Sequence, residues 1–248
     1  MIDFANALFD ILFARNDTVT IVQAVLLTGI LFAGLYLFAV VPSFLLLRNS
    51  PHKIENESLA RNQIRKEILA SLRSVLVFAL LGGITFNFLK QDWLRVNGDI
   101  AIHQWLIEIL LLYLWNEMHF YFSHRLLHVR PLFRYIHKVH HQSRIVTPFS
   151  TWSFHWLEAA ILGSVLPLAI LIYPFSVWSL ALLPVISLFW NIIGHSNVCS
   201  TNPFLGIFSQ ASARHAMHHK HIDRNFGFSL PYFDRWLGTS IERGTSPP

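Results

Sequence analysis

The sequence predicts an all-α integral membrane protein with about four transmembrane helices and a histidine-rich helical cap on the cytoplasmic side. Hydrophobic residues make up 53% of the 248 residues and charged residues only 13%, whereas a soluble domain carries about 25% charged residues. The mean hydropathy is +0.44, and most of the 14 histidines lie in the second half of the chain. We therefore expect one membrane domain over residues 1–248, with an anchor part at 1–99 and a histidine-rich part at 100–240.

The charge of the chain fits a membrane protein better than a nucleic-acid-binding protein. The formal net charge is +5 and the isoelectric point is about 9.6, but the basic residues flank apolar stretches. Such placement is typical of cytoplasmic loops between membrane helices, so we expect no nucleic-acid partner. The one cysteine, Cys199, excludes an intrachain disulfide and a CxxC metal or redox motif.

The first apolar stretch, residues 19–47, carries no charged residue and exceeds the roughly 20 residues that a transmembrane helix needs. We expect residues 1–18 before it to form an amphipathic segment near the membrane surface. Residues 48–73 form a polar connection, and its excess of Lys and Arg predicts a cytoplasmic position. Residues 74–89 then return across the membrane.

The next crossing, residues 100–122, is interrupted by three ionisable side chains, His103, Glu108 and Glu117. Ionisable residues inside a membrane span are candidates for function. Two further apolar stretches, residues 158–173 and 176–194, are separated at Pro174 and form either a hairpin of two crossings or a re-entrant pair. Either arrangement returns the chain to the same side, so all the histidine groups are expected to face the cytoplasm.

Three groups of closely spaced histidines indicate a metal site. On a helix, residues i, i+3 and i+4 share one face, so each group is expected to aim its imidazoles in one direction. Imidazole is a ligand of iron, zinc, copper and nickel, and several converging imidazoles form a metal cage. The three groups are His124 and His128; His137, His140 and His141; and His215, His218 and His219.

The composition of the histidine-rich region limits the kind of metal site. Residues 119–221 contain a single carboxylate, Glu158, and a single cysteine. A carboxylate-bridged di-iron bundle would need Glu-x-x-His pairs on facing helices, and a thiolate site would need several cysteines. The sequence therefore predicts a site made almost wholly of histidine, and more than four ligands predict more than one metal ion.

Seven short motifs occur in an order that resembles the fatty acid hydroxylase and sterol desaturase superfamily, over residues 121–239. Several of these motifs lie outside the histidine groups, where metal binding in general would not require them. They are HRLLH at 124–128, HKVHHQS at 137–143, FHWLE at 154–158, GHSN at 194–197, HAMHH at 215–219, NFG at 225–227 and FDRWLGT at 233–239.

This resemblance implies a membrane enzyme with a histidine-ligated di-iron centre, in which zinc can replace iron after purification. It would use O2, and two electrons from a separate donor protein, to hydroxylate or desaturate a membrane lipid such as a fatty acyl chain or a sterol. The ligands implied by the motifs are His124, His128, His137, His140, His141, His195, His215, His218 and His219.

The resemblance also suggests site residues beyond this set. His155 is a further candidate, either as a metal ligand or as a hydrogen-bond partner of one. Asn191 stands where some relatives carry a second histidine, four residues before His195, and its amide could bind metal directly or through water. Imidazole ligands need a partner for their second nitrogen. The candidates for that role are Glu158, Asp223, Asp234, Asn225 and Asn197.

A second hypothesis is a membrane metal-binding or metal-transport protein without oxygenase activity. A transporter would place its ligands near the middle of the bilayer, on interrupted helices and often within internal repeats. Here the predicted ligands lie beyond the apolar spans, and no repeat is visible. The sequence leaves open the lipid substrate and the choice between hydroxylation and desaturation.

Overall fold

The computed structural model describes residues 20–98 and 100–241, so the predicted amphipathic segment 1–18 lies outside the described residues. The all-α prediction is confirmed, since the described residues form helices and only two isolated β-bridges. The helices are α1 (Ile21–Leu47), α2 (Gln63–Lys90), α3 (Ile102–Leu127), α4 (Arg130–Tyr135), α5 (Trp156–Gly163), α6 (Val165–Ile172), α7 (Val177–Gly194), α8 (Gly206–Lys220) and α9 (Tyr232–Trp236), with 3₁₀ helices at His137–Gln142, Pro148–Trp152 and Pro203–Leu205.

Three of the described helices, α1, α2 and α7, are long and apolar enough to cross a membrane. Thr20 begins α1 with a capping box, because its side chain accepts from the Gln23 amide and the Gln23 side chain accepts from the Thr20 amide. Helix α3 is 26 residues long but carries the ionisable residues noted above. The predicted number of four crossings therefore remains a prediction.

Contacts between loops define the two ends of the helix bundle. At one end, the loop after α1 pairs with the loop after α7, where the Ile54 amide donates to the Asn197 carbonyl over 3.0 Å. At the other end, the loop before α3 meets the start of α7, where the Val177 amide donates to the Asn97 carbonyl over 3.1 Å. Helices α3 and α7 therefore both end, with their histidines, at the first end.

A buried apolar core joins α1 and α2 to the segment beside the histidines. Tyr36 of α1 is fully buried, stacks on Trp152 with 5.7 Å between ring centroids, and donates from its hydroxyl to the Phe149 carbonyl over 2.9 Å. Val75 of α2 and Leu188 of α7 belong to the same core. The 3₁₀ helix Pro148–Trp152 is thus packed against α1 and α2.

We expect the Gly83→Ala variant to lower the unfolding temperature, because Gly83 lets α2 lie directly against α1. A Cβ atom at this position would overlap Cγ2 of Val25, and overpacking of this kind costs about 1–3 kcal/mol. Thermal unfolding of the detergent-solubilised protein measures the effect, and adding Val25→Ala should restore stability. Gly34→Ala is the matched control, since its Cβ would meet nothing closer than Phe38 Cδ2 at 4.0 Å; equal stability of the two variants would contradict the prediction.

Candidate metal centre

The histidines converge where three helices end. His124 lies in the last turn of α3 and His128 is its C-cap, while His195 is the C-cap of α7. His218 and His219 lie in the last turn of α8. The C-terminal end of a helix carries partial negative charge, which favours a nearby cation. Three helix ends thus point toward a site whose side chains are themselves uncharged.

The side-chain nitrogens of nine histidines form two compact groups. Within each group, one ligand atom from every residue lies within 4.8 Å of all the others. The five-histidine cluster consists of His124, His128, His137, His141 and His218. The four-histidine cluster consists of His140, His195, His215 and His219. The clusters adjoin, since the ring centroids of His141 and His219 are 4.6 Å apart.

The second and third histidine groups are each divided between the two clusters. This differs from the prediction that each group aims all its imidazoles in one direction. His218 joins the five-histidine cluster, while its neighbour His219 joins the other. Successive residues of a helix are about 100° apart, so adjacent side chains diverge even at its end. In the 3₁₀ helix His137–Gln142, His140 and His141 separate in the same manner. One short motif therefore contributes imidazoles to two neighbouring clusters.

Outer hydrogen bonds fix which nitrogen of three imidazoles carries the proton. Nδ1 of His124 lies 2.9 Å from the Phe226 carbonyl, and Nδ1 of His218 lies 2.6 Å from the Arg224 carbonyl. A carbonyl only accepts, so both Nδ1 atoms are protonated donors. Nδ1 of His137 donates in the same way to Oε1 of Glu158 over 2.7 Å. A neutral imidazole has one N–H, which leaves Nε2 with a free lone pair in all three rings.

These lone pairs point at one another. Nε2 of His124 and Nε2 of His137 are 3.1 Å apart, and Nε2 of His141 is 3.2 Å from that of His137. The contact between His124 and His137 holds no proton, so it is a contact between two acceptors. A metal cation between the rings would turn this repulsion into coordination. The donor set therefore fits a transition metal.

The four-histidine cluster has a related arrangement around Ser150. The Ser150 hydroxyl donates to the Thr147 carbonyl over 2.7 Å, so its oxygen accepts from Nδ1 of His195, which is also 2.7 Å away. Nε2 of His195 is thereby left with its lone pair, 2.9 Å from Nε2 of His215. Ser150 is fully buried. Ser150 could not be predicted from the sequence, because a serine 45 positions away from a histidine gives no local signal.

Burial keeps the imidazoles neutral. It lowers the pKa of His140 to about 4, and it lowers the pKa of His137 and His218 well below the ordinary value, with further lowering by neighbouring imidazoles. His195, His215 and His219 are affected in the same way. Neutral imidazole is the form that binds metal, so the cluster is ready to bind a cation at neutral pH.

The NFG and FDRWLGT motifs hold the loop whose Arg224 and Phe226 carbonyls accept from His218 and His124. Asp234 accepts from the amides of Phe226 and Gly227, each over 2.8 Å, and Asn225 donates from its side chain to the Ile241 carbonyl over 3.0 Å. Asp234 and Asn225, predicted as candidate partners of imidazoles, thus support the backbone that contacts His124 and His218.

Glu158 is the one predicted outer partner that contacts an imidazole directly. Asp223 is exposed and lies 3.8 Å from the side chain of Arg224. Asn197 joins the loop after α1, where its amide nitrogen donates to the Glu55 carbonyl over 2.9 Å. The carbonyl groups of Arg224 and Phe226 take the place of these candidates, and backbone acceptors cannot be recognised from residue type.

Two further predicted site residues lie outside both clusters. His155 is the N-cap of α5, and its Nδ1 accepts from the Leu157 amide over 3.3 Å, a helix-capping contact. Asn191 lies one turn before His195 and donates from its amide nitrogen to the Ser187 carbonyl over 3.1 Å. His155 therefore stands apart from the proposed ligands, while Asn191 remains a residue near the four-histidine cluster.

Comparison with known proteins identifies the family. Residues 109–239, more than half of the chain, match the family model described as fatty acid hydroxylase. The chain belongs to this family. The matched range contains both histidine clusters and every motif on which the resemblance rested, so the predicted family is confirmed.

Curated relatives of this family member include enzymes named for sterol desaturation. A Delta(7)-sterol 5(6)-desaturase of Gibberella zeae is 28% identical over 75% of this chain and 53% of its own length. Lathosterol oxidase of Homo sapiens is 26% identical over 78% of this chain and 66% of its own length. The chain thus spans between about half and two thirds of the length of these relatives. No solved structure matches the chain.

We expect acid to destabilise the metal-free protein through its histidines. Unfolded histidine titrates near pH 6.5, whereas the folded pKa of His140 is about 4. Between these values the unfolded chain binds more protons, so stability falls as pH falls. After chelator treatment, the unfolding temperature should be level above about pH 7 and decline between about pH 6.5 and pH 4. A level profile across that window would contradict neutral, buried imidazoles.

The Glu158→Gln variant should weaken metal binding without removing it. A glutamine oxygen can still accept from His137 but lacks the negative charge, and loss of such an outer partner costs about 10–100-fold in metal affinity. Competition between the protein and a chelator for Zn²⁺ measures the change. Glu57→Gln, at an exposed carboxylate, is the control and should bind Zn²⁺ as the wild type does. Equal affinity of both variants would exclude this role for Glu158.

Proposed function

We propose that this protein is an O2-dependent hydroxylase or desaturase of a membrane lipid, with a di-iron centre held by histidine. The observation that carries the proposal is the pair of adjoining, largely buried, all-imidazole clusters at one end of an apolar helix bundle. Membership of the fatty acid hydroxylase family supports the same reaction class. Electrons would come from a separate donor protein.

The two clusters would each hold one iron, with zinc as a substitute in purified protein. His124, His128, His137, His141 and His218 would hold one ion, and His140, His195, His215 and His219 the other. When bound, the irons would supply the reduction of O2 and the oxidant that attacks an unactivated C–H bond. Hydroxylation consumes one O2, two electrons and two protons and gives an alcohol and water, whereas desaturation gives an alkene and two waters.

The protein itself would orient the imidazole rings and exclude water from the site. Buried Glu158 fixes the ring of His137, and Ser150 fixes that of His195. Aromatic side chains cover part of the cluster, as Phe226 lies 5.0 Å from the ring of His128 between centroids. Excluding water protects a strong oxidant from side reactions.

The proposed substrate is a lipid of the sterol or fatty acyl class. The names of the relatives above refer to Delta(7)-sterols and to lathosterol, which favours a sterol-like compound. A lipid would reach the histidines from the bilayer, because the apolar helices that end at the site expose large hydrophobic side chains to their surroundings. Examples are Phe189 of α7 and Leu114 and Phe122 of α3.

The charge around the histidines supports a cytoplasmic position and an acidic electron donor. Exposed basic residues surround the end of α3 and the following helices: Arg125, Arg130, Arg134, Lys138 and Arg144. An excess of basic residues is typical of the cytoplasmic side of a membrane protein. The same surface would attract a negatively charged redox protein and increase its association rate.

Replacing any one of His128, His140 or His218 by Ala should abolish turnover and reduce the bound iron, while membrane insertion persists because apolar helices drive it. Metal analysis of purified protein and a product assay on the same sample provide the two readouts. His155→Ala is the matched control, since that ring caps α5 outside both clusters. At most one ion per fully loaded wild-type chain would contradict the two-metal proposal.

Lipid analysis distinguishes the proposed enzyme from a metal transporter. We expect cells that express the wild-type gene, but not the His140→Ala variant, to accumulate a lipid 16 Da heavier or 2 Da lighter than its precursor. These mass differences follow from gain of oxygen or loss of two hydrogens. Incorporation of ¹⁸O from ¹⁸O2 would identify hydroxylation. Metal flux in liposomes with no change in any lipid would favour the transporter instead.

A further inference from the structure

Helix α2 carries buried polar side chains that the proposed function does not use. Glu67 of α2 is 2% exposed and Gln63 is 7% exposed. A helix that only anchors a protein in a bilayer needs apolar contacts, and a buried carboxylate costs free energy unless it is hydrogen-bonded. Their position near the start of α2 places both residues at the histidine end of the bundle.

Glu67 accepts three hydrogen bonds. Its Oε1 accepts from the Ser143 hydroxyl and from the Gln63 side chain, each over 2.7 Å. Its Oε2 accepts from the Thr147 hydroxyl over 2.6 Å. Gln63 also donates to the Ile145 carbonyl over 2.8 Å. The start of α2 therefore holds residues 143–147 at three points, although they lie about 80 positions away in the sequence.

The segment 143–147 joins two parts of the candidate metal centre. Before it lies the 3₁₀ helix His137–Gln142, which contributes to both clusters, and the Ser143 amide donates to the His140 carbonyl over 3.2 Å. After it lies Ser150, whose hydroxyl is held by the Thr147 carbonyl and whose oxygen accepts from His195. A shift of this segment would move ligands of both clusters.

We infer that Glu67 is a positioning residue for the metal centre. It acts through Ser143 on the 3₁₀ helix of His140, and through Thr147 and Ser150 on His195. The inference rests on the metal role of the histidines in the proposed function. It makes the anchor part of the chain a component of the site, because the acceptor that fixes the 143–147 segment is on α2.

The chemistry of this position requires a carboxylate. An ionised carboxylate has two acceptor oxygens and no donor, which matches three surrounding donors. In Glu67→Gln, one oxygen is replaced by an NH2 donor that faces a hydroxyl or an amide donor. In Thr147→Val, the side chain keeps its shape and loses only the hydroxyl. Both variants should move the 143–147 segment without altering any histidine.

Co²⁺ titration of the chelator-treated full-length protein tests the inference, with visible absorption reporting coordination and a competing chelator reporting affinity. We expect the wild type to bind two Co²⁺ per chain. Glu67→Gln and Thr147→Val should each weaken at least one site about tenfold or more and change its absorption spectrum. Ser74→Ala is the matched control: within the described part of the chain, the hydroxyl of this buried serine of α2 bonds only to the Ala70 carbonyl of its own helix, and its loss should leave both sites unchanged.

The double variant Glu67→Gln/Thr147→Val shows whether the effect passes through the Thr147 hydroxyl. If it does, the double variant binds Co²⁺ about as well as Glu67→Gln alone, because the effects of substituting two interacting residues do not add. If Glu67→Gln binds Co²⁺ with the affinity and spectrum of the wild type, the role of Glu67 is overturned while the proposed function stands. Thr147→Val decides in the same way if Glu67→Gln does not fold. Fewer than two Co²⁺ in the wild type would instead overturn the two-metal function and this inference with it.

Discussion

The orientation of four of the nine imidazoles depends on one kind of interaction, the hydrogen bond from Nδ1 to an acceptor fixed by the fold. For His124, His137 and His218 the acceptor is a carbonyl or carboxylate oxygen. That bond determines the tautomer, turns the ring, and leaves the Nε2 lone pair facing the centre of the cluster. Without fixed acceptors, neutral imidazoles could rotate and donate to one another, and no cage of lone pairs would form.

This requirement explains buried polar groups far from the histidines. Phe226 and Arg224 can accept only if their loop is rigid, and Asp234 and Asn225 supply that rigidity through backbone hydrogen bonds. Each such bond contributes about 0.5–1.5 kcal/mol, while a buried group left unpaired costs about 1–3 kcal/mol. Glu117 of α3 adds to the same support, because the Leu230 amide donates to its carboxylate over 3.2 Å. The NFG and FDRWLGT motifs are therefore part of the scaffold that orients these histidines.

The site also has to balance charge with few carboxylates. Two divalent cations would bring four positive charges to nine neutral rings, and Glu158 is the one carboxylate among the described residues that contacts any of them. The C-terminal ends of α3, α7 and α8 add partial negative charge from three directions. A centre that remains electron-poor in this way suits the oxidation of an unactivated C–H bond, in keeping with the proposed reaction.

The sequence by itself determined the helical membrane class and the family, because composition, helical spacing and motif order can be read from the chain directly. It also predicted the nine histidines that converge, together with His155, which lies outside both clusters. Tertiary structure decided how the histidines divide into five and four, since that depends on the angle at which three helix ends meet. It also decided that His155 caps a helix, and that Ser150, Phe226 and Arg224 orient imidazoles. Contacts such as that of Glu67 with Ser143 join residues 76 positions apart. The packing of α2 against the following segments creates this contact, and periodicity in the sequence cannot predict it.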